Sequence, residues 1–331
     1  MAWTLTGDAD EYLAAARCFL ESDPVRHTVQ LTVALAVSAR RRAAGHAPPR
    51  EGEQPGADEP LFGWWRPAGA TKVSGVMMHT PPYPVGVTDL VEGAAQSLAA
   101  ELQARGRRPD AVNGERTAAT SFAAAWNAST GQVARQSGSA RLFRLARLTA
   151  PRPGPEGAAR VASTADHGLL ADWLADFHRE SGTIDSEGDL DDRLSFGGLT
   201  LWERDGRPVA LAGIHRPAAG VARIGPVYTP PPLRGRGYAG AATAAVSQAA
   251  LDQGTGRVVL FANPANRTST ALYQRLGFVP VEDRIELRFR GEARRAEITT
   301  RAPPRMNASG RPVVAQANSA GHPAWSVAVR G

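Results

Sequence analysis

The chain has 331 residues, 43 % of them hydrophobic, and a formal net charge of +6 at neutral pH. That length suits two domains with sizeable cores, and no apolar run is long enough to span a bilayer. Cys18 is the sole cysteine, so neither an intrachain disulfide nor a cysteine-built metal centre can form.

The positive charge is unevenly spread. From Glu292 onward six arginines face two acids, which accounts for +4 of the +6, and Lys72 is the only lysine. Such an arginine bias points to a GC-rich genome more than to a polyphosphate-binding face, which argues against a nucleic-acid partner. The seven histidines show no HxxxH or HxH spacing, so no metal is expected. The opening "MAWTLTGDADEYLAAARCFL" carries acids where a secretory leader would carry cations, and a cytoplasmic protein is expected.

In chain order, residues 1–149 form a first body, interrupted by a Pro/Gly-rich surface loop at 40–60. Residues 150–158, "APRPGPEGA", are an interdomain linker. Residues 159–290 form a second body, and 291–331 lack apolar periodicity and are expected to be a disordered basic tail. The second body opens with a short strand. An amphipathic helix capped by Asp166 follows, with Leu169, Leu170, Trp173, Leu174 and Phe177 on one side. A hairpin comes next: strands 198–203 and 208–215 about an Asp205-Gly206 turn. Then come a strand, "GVARIGPVYT", an alanine-rich helix ending at Gly254, a buried strand, "RVVLFAN", a short helix stopped by Gly277, and a closing strand, "IELRFR". The order is that of a mixed α/β sheet.

The segment "PPPLRGRGYAG" lies between the strand and the alanine-rich helix. It holds a GxGxxG at Gly235, Gly237 and Gly240, the spacing of a dinucleotide fingerprint. The next strand, however, ends in Asn263 and Asn266 where a ribose-binding acid belongs. No GK[ST] is present, which rejects a Walker loop. Counted from Arg234, the segment is R-x-x-G-x-A. Its glycines let backbone N–H groups turn inward, the helix adds its positive end, and Arg234 and Arg236 stand at the rim. An unliganded Arg-Gly turn explains these six residues equally well.

Downstream, Asn266, Ser269 and Tyr273 precede "LGF" at 276–278. Together with "VARIGPVYT", "RGRGYA" and "NRTSTALYQRLGF", this resembles the GNAT superfamily of acyl-coenzyme A-dependent N-acetyltransferases, over about 159–290. Each piece alone has a plain structural explanation, Tyr273 as a core aromatic and Asn266 as a helix cap. The resemblance implies a GNAT fold whose central parallel strands splay apart. It implies acetyl-coenzyme A as co-substrate, with pantetheine along Val227, Tyr228 and Thr229 and the pyrophosphate on Arg234, Gly235, Arg236, Gly237, Tyr238 and Ala239. Asn266 and Ser269 complete the matched cofactor segment, and Tyr273 matches the family's general acid. An amine is the implied acceptor.

Attack by an amine on a thioester needs a neutral amine, an oxyanion donor and a proton for the departing thiolate. A tyrosine hydroxyl, near 10, lies close to a thiol, about 8.5. The core strands offer no carboxylate base. His215 is the one imidazole near the expected cleft, and a hydrogen-bonded surface histidine is the competing reading. "IDSEGDLDD" places Asp185, Glu187, Asp189, Asp191 and Asp192 close together. A calcium loop fails, since Leu190 and Phe196 stand where Gly and Glu are required. A solvated loop with a helix cap and a negative rim for a cationic amine remain as readings.

The first half holds an echo. "VMMHTPPYP" resembles "GPVYTPPPL", pairing Thr80 with Thr229, and Arg116-Thr117 aligned on Arg267-Thr268 puts Phe122 on Tyr273. Two GNAT-like domains in tandem are expected, the first degenerate, without the glycine cradle or a hydroxyl. The competing functions are a non-catalytic acyl-coenzyme A-binding or partner-binding module, and an acetyltransferase directed at ribosomes or proteins.

Overall fold

The computed structural model describes residues 2–47, 54–91, 93–183 and 189–290. The expected tail at 291–331 lies outside the described residues, as do Asp185 and Glu187. The first half runs β1 (Ala2–Thr6), α1 (Ala9–Ser22), α2 (Thr28–Ala43), β2 (Leu61–Arg66), β3 (Gly75–His79), β4 (Val85–Val87), α3 (Ala94–Ala104), β5 (Ala111–Glu115), α4 (Arg116–Thr130) and β6 (Val133–Leu145). The second half runs β7 (Ala158–Val161), α5 (His167–Ser181), α6 (Asp189–Ser195), β8 (Leu199–Arg204), β9 (Arg207–Ile214), β10 (Val221–Tyr228), α7 (Tyr238–Asp252), β11 (Arg257–Ala262), α8 (Arg267–Arg275) and β12 (Phe278–Arg290). The two halves repeat the same ten-element order, βααβββαβαβ.

Local chemistry explains the element starts. Asp8 caps α1, its Oδ1 accepting from the Asp10 N–H at 2.8 Å, and the helix then buries Tyr12, Ala16 and Leu20 at four-residue spacing. Asp166 stands at the N-cap of α5 as expected, although its side chain does not cap that helix, and Ser163 caps the 3-10 turn that leads into it. Asp166 reaches back to the Ser163 N–H at 2.8 Å, closing a capping box, and also pairs with Arg160 at 2.8 Å. The Arg160 guanidinium holds the Asp166 carboxyl well below the usual carboxylate range.

All twelve strands of the described residues join one sheet, in the order β1-β2-β3-β4-β5-β12-β6-β11-β10-β9-β8-β7. The centre is an exchange. β6, from the first half, lies antiparallel to β11 of the second. β12, from the second, lies antiparallel to β5 of the first. The two exchanged strands pair with each other from Phe278–Leu145 to Arg290–Val133. Arg26 of the first half meets Glu282 at 2.6 Å, and Ser137 donates to buried Glu286 at 2.7 Å.

The repeat holds, but one of its expected pairings shifts. Thr80 follows β3, the third strand, whereas Thr229 follows β10, whose counterpart is the fourth strand, β4. The residue that follows β4 is Thr88, so the Thr-Pro-Pro likeness is a coincidence of turn composition. The alignment of α4 on α8 survives: Phe122 and Tyr273 each stand seventh in their helix, and each is fully buried.

Candidate active site

β10 pairs in parallel with β11 only from Val221–Arg257 to Ile224–Leu260, although β10 continues to Tyr228 and β11 to Ala262. Beyond Ile224 the edge of β10 that faces β11 is therefore unpaired. The far edge stays in the ladder, with Val227 opposite Ala212 and Tyr228 opposite Leu211, after a bulge. Gly225 sits at the parting with φ +151°, a backbone state that side chains rarely adopt. A ladder that stops while both strands run on leaves backbone donors for a ligand.

The sequence-expected residues gather around this gap. Val227 shares one apolar cluster with Tyr238 and Tyr273, and Leu233 and Ala239 pack against it. The Tyr228 ring turns the other way, against Trp173, and its hydroxyl donates to Asp176 at 3.2 Å. Burial, with Asp176 beside it, pushes the Tyr228 phenol up to about 12. The Thr229 hydroxyl is buried and has no partner among the described residues.

In the loop, Gly235, Arg236 and Gly237 are exposed, and the two glycines hold φ of +75° and +83°. Gly237 is the N-cap of α7, and the first α7 ladder bond runs from the Ala241 N–H to the Gly237 carbonyl. The N–H groups of Tyr238, Ala239 and Gly240 thus stand at a free helix end. Arg234, expected at the rim, is instead committed: it meets Glu180 of α5 at 2.7 Å and the Thr229 carbonyl at 2.9 Å. It fastens the loop, while exposed Arg236 donates to the Pro232 carbonyl at 3.4 Å. The buried Tyr238 ring points into the core, its hydroxyl accepting from Arg204 at 3.2 Å.

On α8, Asn266 is the N-cap and accepts from the Ser269 N–H at 3.1 Å, and Ser269 is fully buried. The Tyr273 ring meets Phe278 edge-on at 6.0 Å. Its hydroxyl is buried without a partner among the described residues, and burial raises its pKa far above that of a free phenol.

A cavity of about 460 Å³ opens where the halves meet. Ile224, Gly225 and Pro226 at the parting form part of its wall, and α2 and the turn at Thr80–Pro84 supply the other side. His215 lines it between two arginines. Burial, then Arg223 and Arg193, hold its imidazole well below its ordinary range, so it is neutral. The acids expected to attract a cation are paired here: Asp189 with Arg193 at 2.7 Å, Asp192 with Arg216 at 2.9 Å, and Asp191 with His167 at 3.4 Å. Arg193 and Arg223 escaped the sequence reading. The available signal was Arg223 standing between buried Ala222 and Ile224 in an otherwise apolar strand.

Residues 168–278 match the model of the acetyltransferase (GNAT) family. A GCN5-related N-acetyltransferase from Sphaerobacter thermophilus has the same fold, with a TM-score of 0.54 and 17 % identity over 86 % of this chain and 95 % of that one. A Drosophila protein aligns with a TM-score of 0.55 and 15 % identity, over 86 % of this chain and 98 % of its own. No curated protein sequence matches the chain. The family match is confined to residues 168–278, whereas the likeness in fold extends over both halves. No helix among the described residues is long and apolar enough to cross a membrane.

Proposed function

We propose that the chain transfers an acetyl group from acetyl-coenzyme A to an amine, with the chemistry confined to the second half. The observation that carries this is the parting of β10 from β11 beside an apolar cluster that holds the unpartnered Tyr273 hydroxyl. A buried hydroxyl without a partner costs about 1–3 kcal/mol, a cost that a bound partner atom would offset. The site fits acetyl-coenzyme A by the same logic. The unpaired edge at Val227–Thr229 suits pantetheine amides. Exposed Gly235–Gly237 and the start of α7 suit a pyrophosphate, with Arg236 adding charge. Asn266 and Ser269 hold the start of α8, and so the aim of Tyr273.

Within that frame the residues divide the work. The β10 edge can donate an N–H to the developing oxyanion. Tyr273 stays protonated throughout the working range, so it donates a hydrogen bond to the departing sulfur rather than surrendering its proton early. His215, held neutral, is too weak a base to keep an abstracted proton and is assigned no part in removing one.

The test is a thiol-release assay with acetyl-coenzyme A across an amine panel, alongside calorimetric titration with coenzyme A. Turnover supports the proposal. Tight binding without turnover of any amine would establish the non-catalytic acyl-coenzyme A module instead.

A further inference from the structure

We infer that the acceptor is an amine bearing a carboxylate, which Arg223 binds in the cavity between the halves. This inference rests on the acetyl-transfer reading for its amine. Its charge requirement comes from the cavity.

Among the described residues, the charged side chains lining the cavity are Arg40, Arg193, Arg223 and the single acid Asp189. Asp189 is spoken for by the Arg193 Nε at 2.7 Å, and Arg193 also donates to the Ile214 and Gly225 carbonyls. Arg223 differs. Among the described residues its one hydrogen bond runs from Nη2 to the Thr32 hydroxyl of α2 at 2.8 Å, and no carboxylate pairs with it. Its Nε is buried without any acceptor. Burial, and then Arg193 nearby, pulls the guanidinium down to about 9, a sign of a cation short of compensation. At neutral pH it is still charged. Arg223 lines the cavity as a guanidinium without an ion pair among the described residues, and such a group is suited to a carboxylate, which supplies two acceptor atoms.

The rest of the wall sets the remainder of the ligand. Val29, Val33 and Val37 present one apolar face of α2, opposite Phe177 and Leu174 of α5. The volume suits a small molecule with an apolar body rather than a folded protein surface. The amine end belongs at Gly225–Pro226, which line the same cavity where β10 leaves β11. The first half therefore contributes a wall of the acceptor pocket, and Thr32 positions the arginine.

The experiment compares matched pairs that differ only in the carboxyl: leucine against leucinamide in thiol release, and N-acetylleucine against N-acetylleucinamide in calorimetry, each with the full chain. A hydrogen-bonded charge contact predicts a preference for the acid of about tenfold to a hundredfold. Arg223→Gln should abolish that preference in both assays, and Arg223→Lys should restore part of it. Equal handling of acid and amide by the wild-type protein overturns the inference, as does an Arg223→Gln variant that keeps the preference. Should Arg223→Gln fail to fold, the wild-type comparison and Arg223→Lys decide. If acetyl-coenzyme A does not bind while N-acetylleucine still outcompetes its amide, acetyl transfer falls and the anion site stands. If acetyl-coenzyme A binds and the acid shows no advantage, the reverse holds.

Discussion

The two halves share an element order but not a cleft. In the first, β4 stays in register with β5 from Val85–Val112 to Val87–Gly114, and α4 begins directly after β5, at Arg116. In the second, β10 leaves β11 at Ile224, and four residues, 263–266, separate β11 from α8. The loop after the fourth strand differs too. Four residues separate Thr88 from Gly93, and seven separate Thr229 from Gly237. The shorter loop carries Asp89, whose carboxylate lies 3.8 Å from His27 and 3.9 Å from Arg26, where an acid would repel a phosphate. Phe122 stands in place of Tyr273 and packs on Trp126 and Phe289. The backbone plan thus tolerates a closed or an open sheet. Only the open version has the unpaired edge, the glycine loop and a hydroxyl at the seventh position of the matched helix.

The largest effect is expected from taking the halves apart. Each half of the sheet is completed by a strand from the other half of the chain, so residues 1–149 alone lack β12 between β5 and β6. A domain's whole stability is only about 5–15 kcal/mol, which leaves little margin once a central strand is removed. Circular dichroism and gel filtration of the separated halves should show unfolded or aggregated chains, with folding recovered on co-expression. An independently folded first half would break the comparison.

Next comes the pair at the seventh position of the matched helices. Tyr273→Phe should slow acetyl transfer about 100- to 10,000-fold, the usual range for a positioned proton donor. It should leave the melting temperature unchanged or higher, since it removes an unpartnered hydroxyl. Phe122→Tyr should leave activity alone and cost about 1–3 kcal/mol, because it buries a hydroxyl with no acceptor. Full turnover by Tyr273→Phe, with coenzyme A binding intact, would remove Tyr273 from the mechanism.

Two histidines end the matched third strands: buried His79 closes β3, and half-buried His215 follows β9. Burial, then Arg107, holds His79 down to about 4. An unfolded imidazole takes up a proton near pH 6.5, whereas buried His79 does so only near 4. Between those values the unfolded chain binds more protons, so stability falls as pH drops through this window and levels off below it. The His79 share amounts to about 3 kcal/mol at pH 4. Urea unfolding from pH 7 to pH 4 should show a shallower decline in His79→Gln than in the wild type. Equal slopes would mean that His79 does not titrate this way.

Much of the second half was legible because its signals are local. Turn residues, an alanine-rich helix and the spacing of Asn266, Ser269 and Tyr273 each act within a few residues. The exchange of β6 and β12 was not. Val133–Leu145 reads "VARQSGSARLFRL", and only Ala140, Leu142, Phe143 and Leu145 of it are buried, too few to show which sheet will take the strand. Its partners lie more than a hundred residues away. The cavity between the halves was hidden for the same reason, since Thr80 of the first half and Arg223 of the second line it from distant parts of the chain. The Thr-Pro-Pro likeness misled because turn chemistry recurs wherever a strand must end.

The smallest expected effect separates backbone strain from ligand binding. Gly93 and Gly237 cap α3 and α7, with φ of +78° and +83°. A Cβ at Gly93 would meet nothing, and one at Gly237 would make only ordinary contact with Pro155 at 3.8 Å. Alanine at either site therefore adds backbone strain alone, about 1–2 kcal/mol for a left-handed residue. The two variants should lose similar amounts in thermal unfolding. They should part in KM for acetyl-coenzyme A, which rises for Gly237→Ala, whose neighbouring N–H groups face the proposed pyrophosphate, and stays constant for Gly93→Ala. A KM that rises in both would place a second coenzyme A site in the first half; one that rises in neither would move the pyrophosphate off the start of α7.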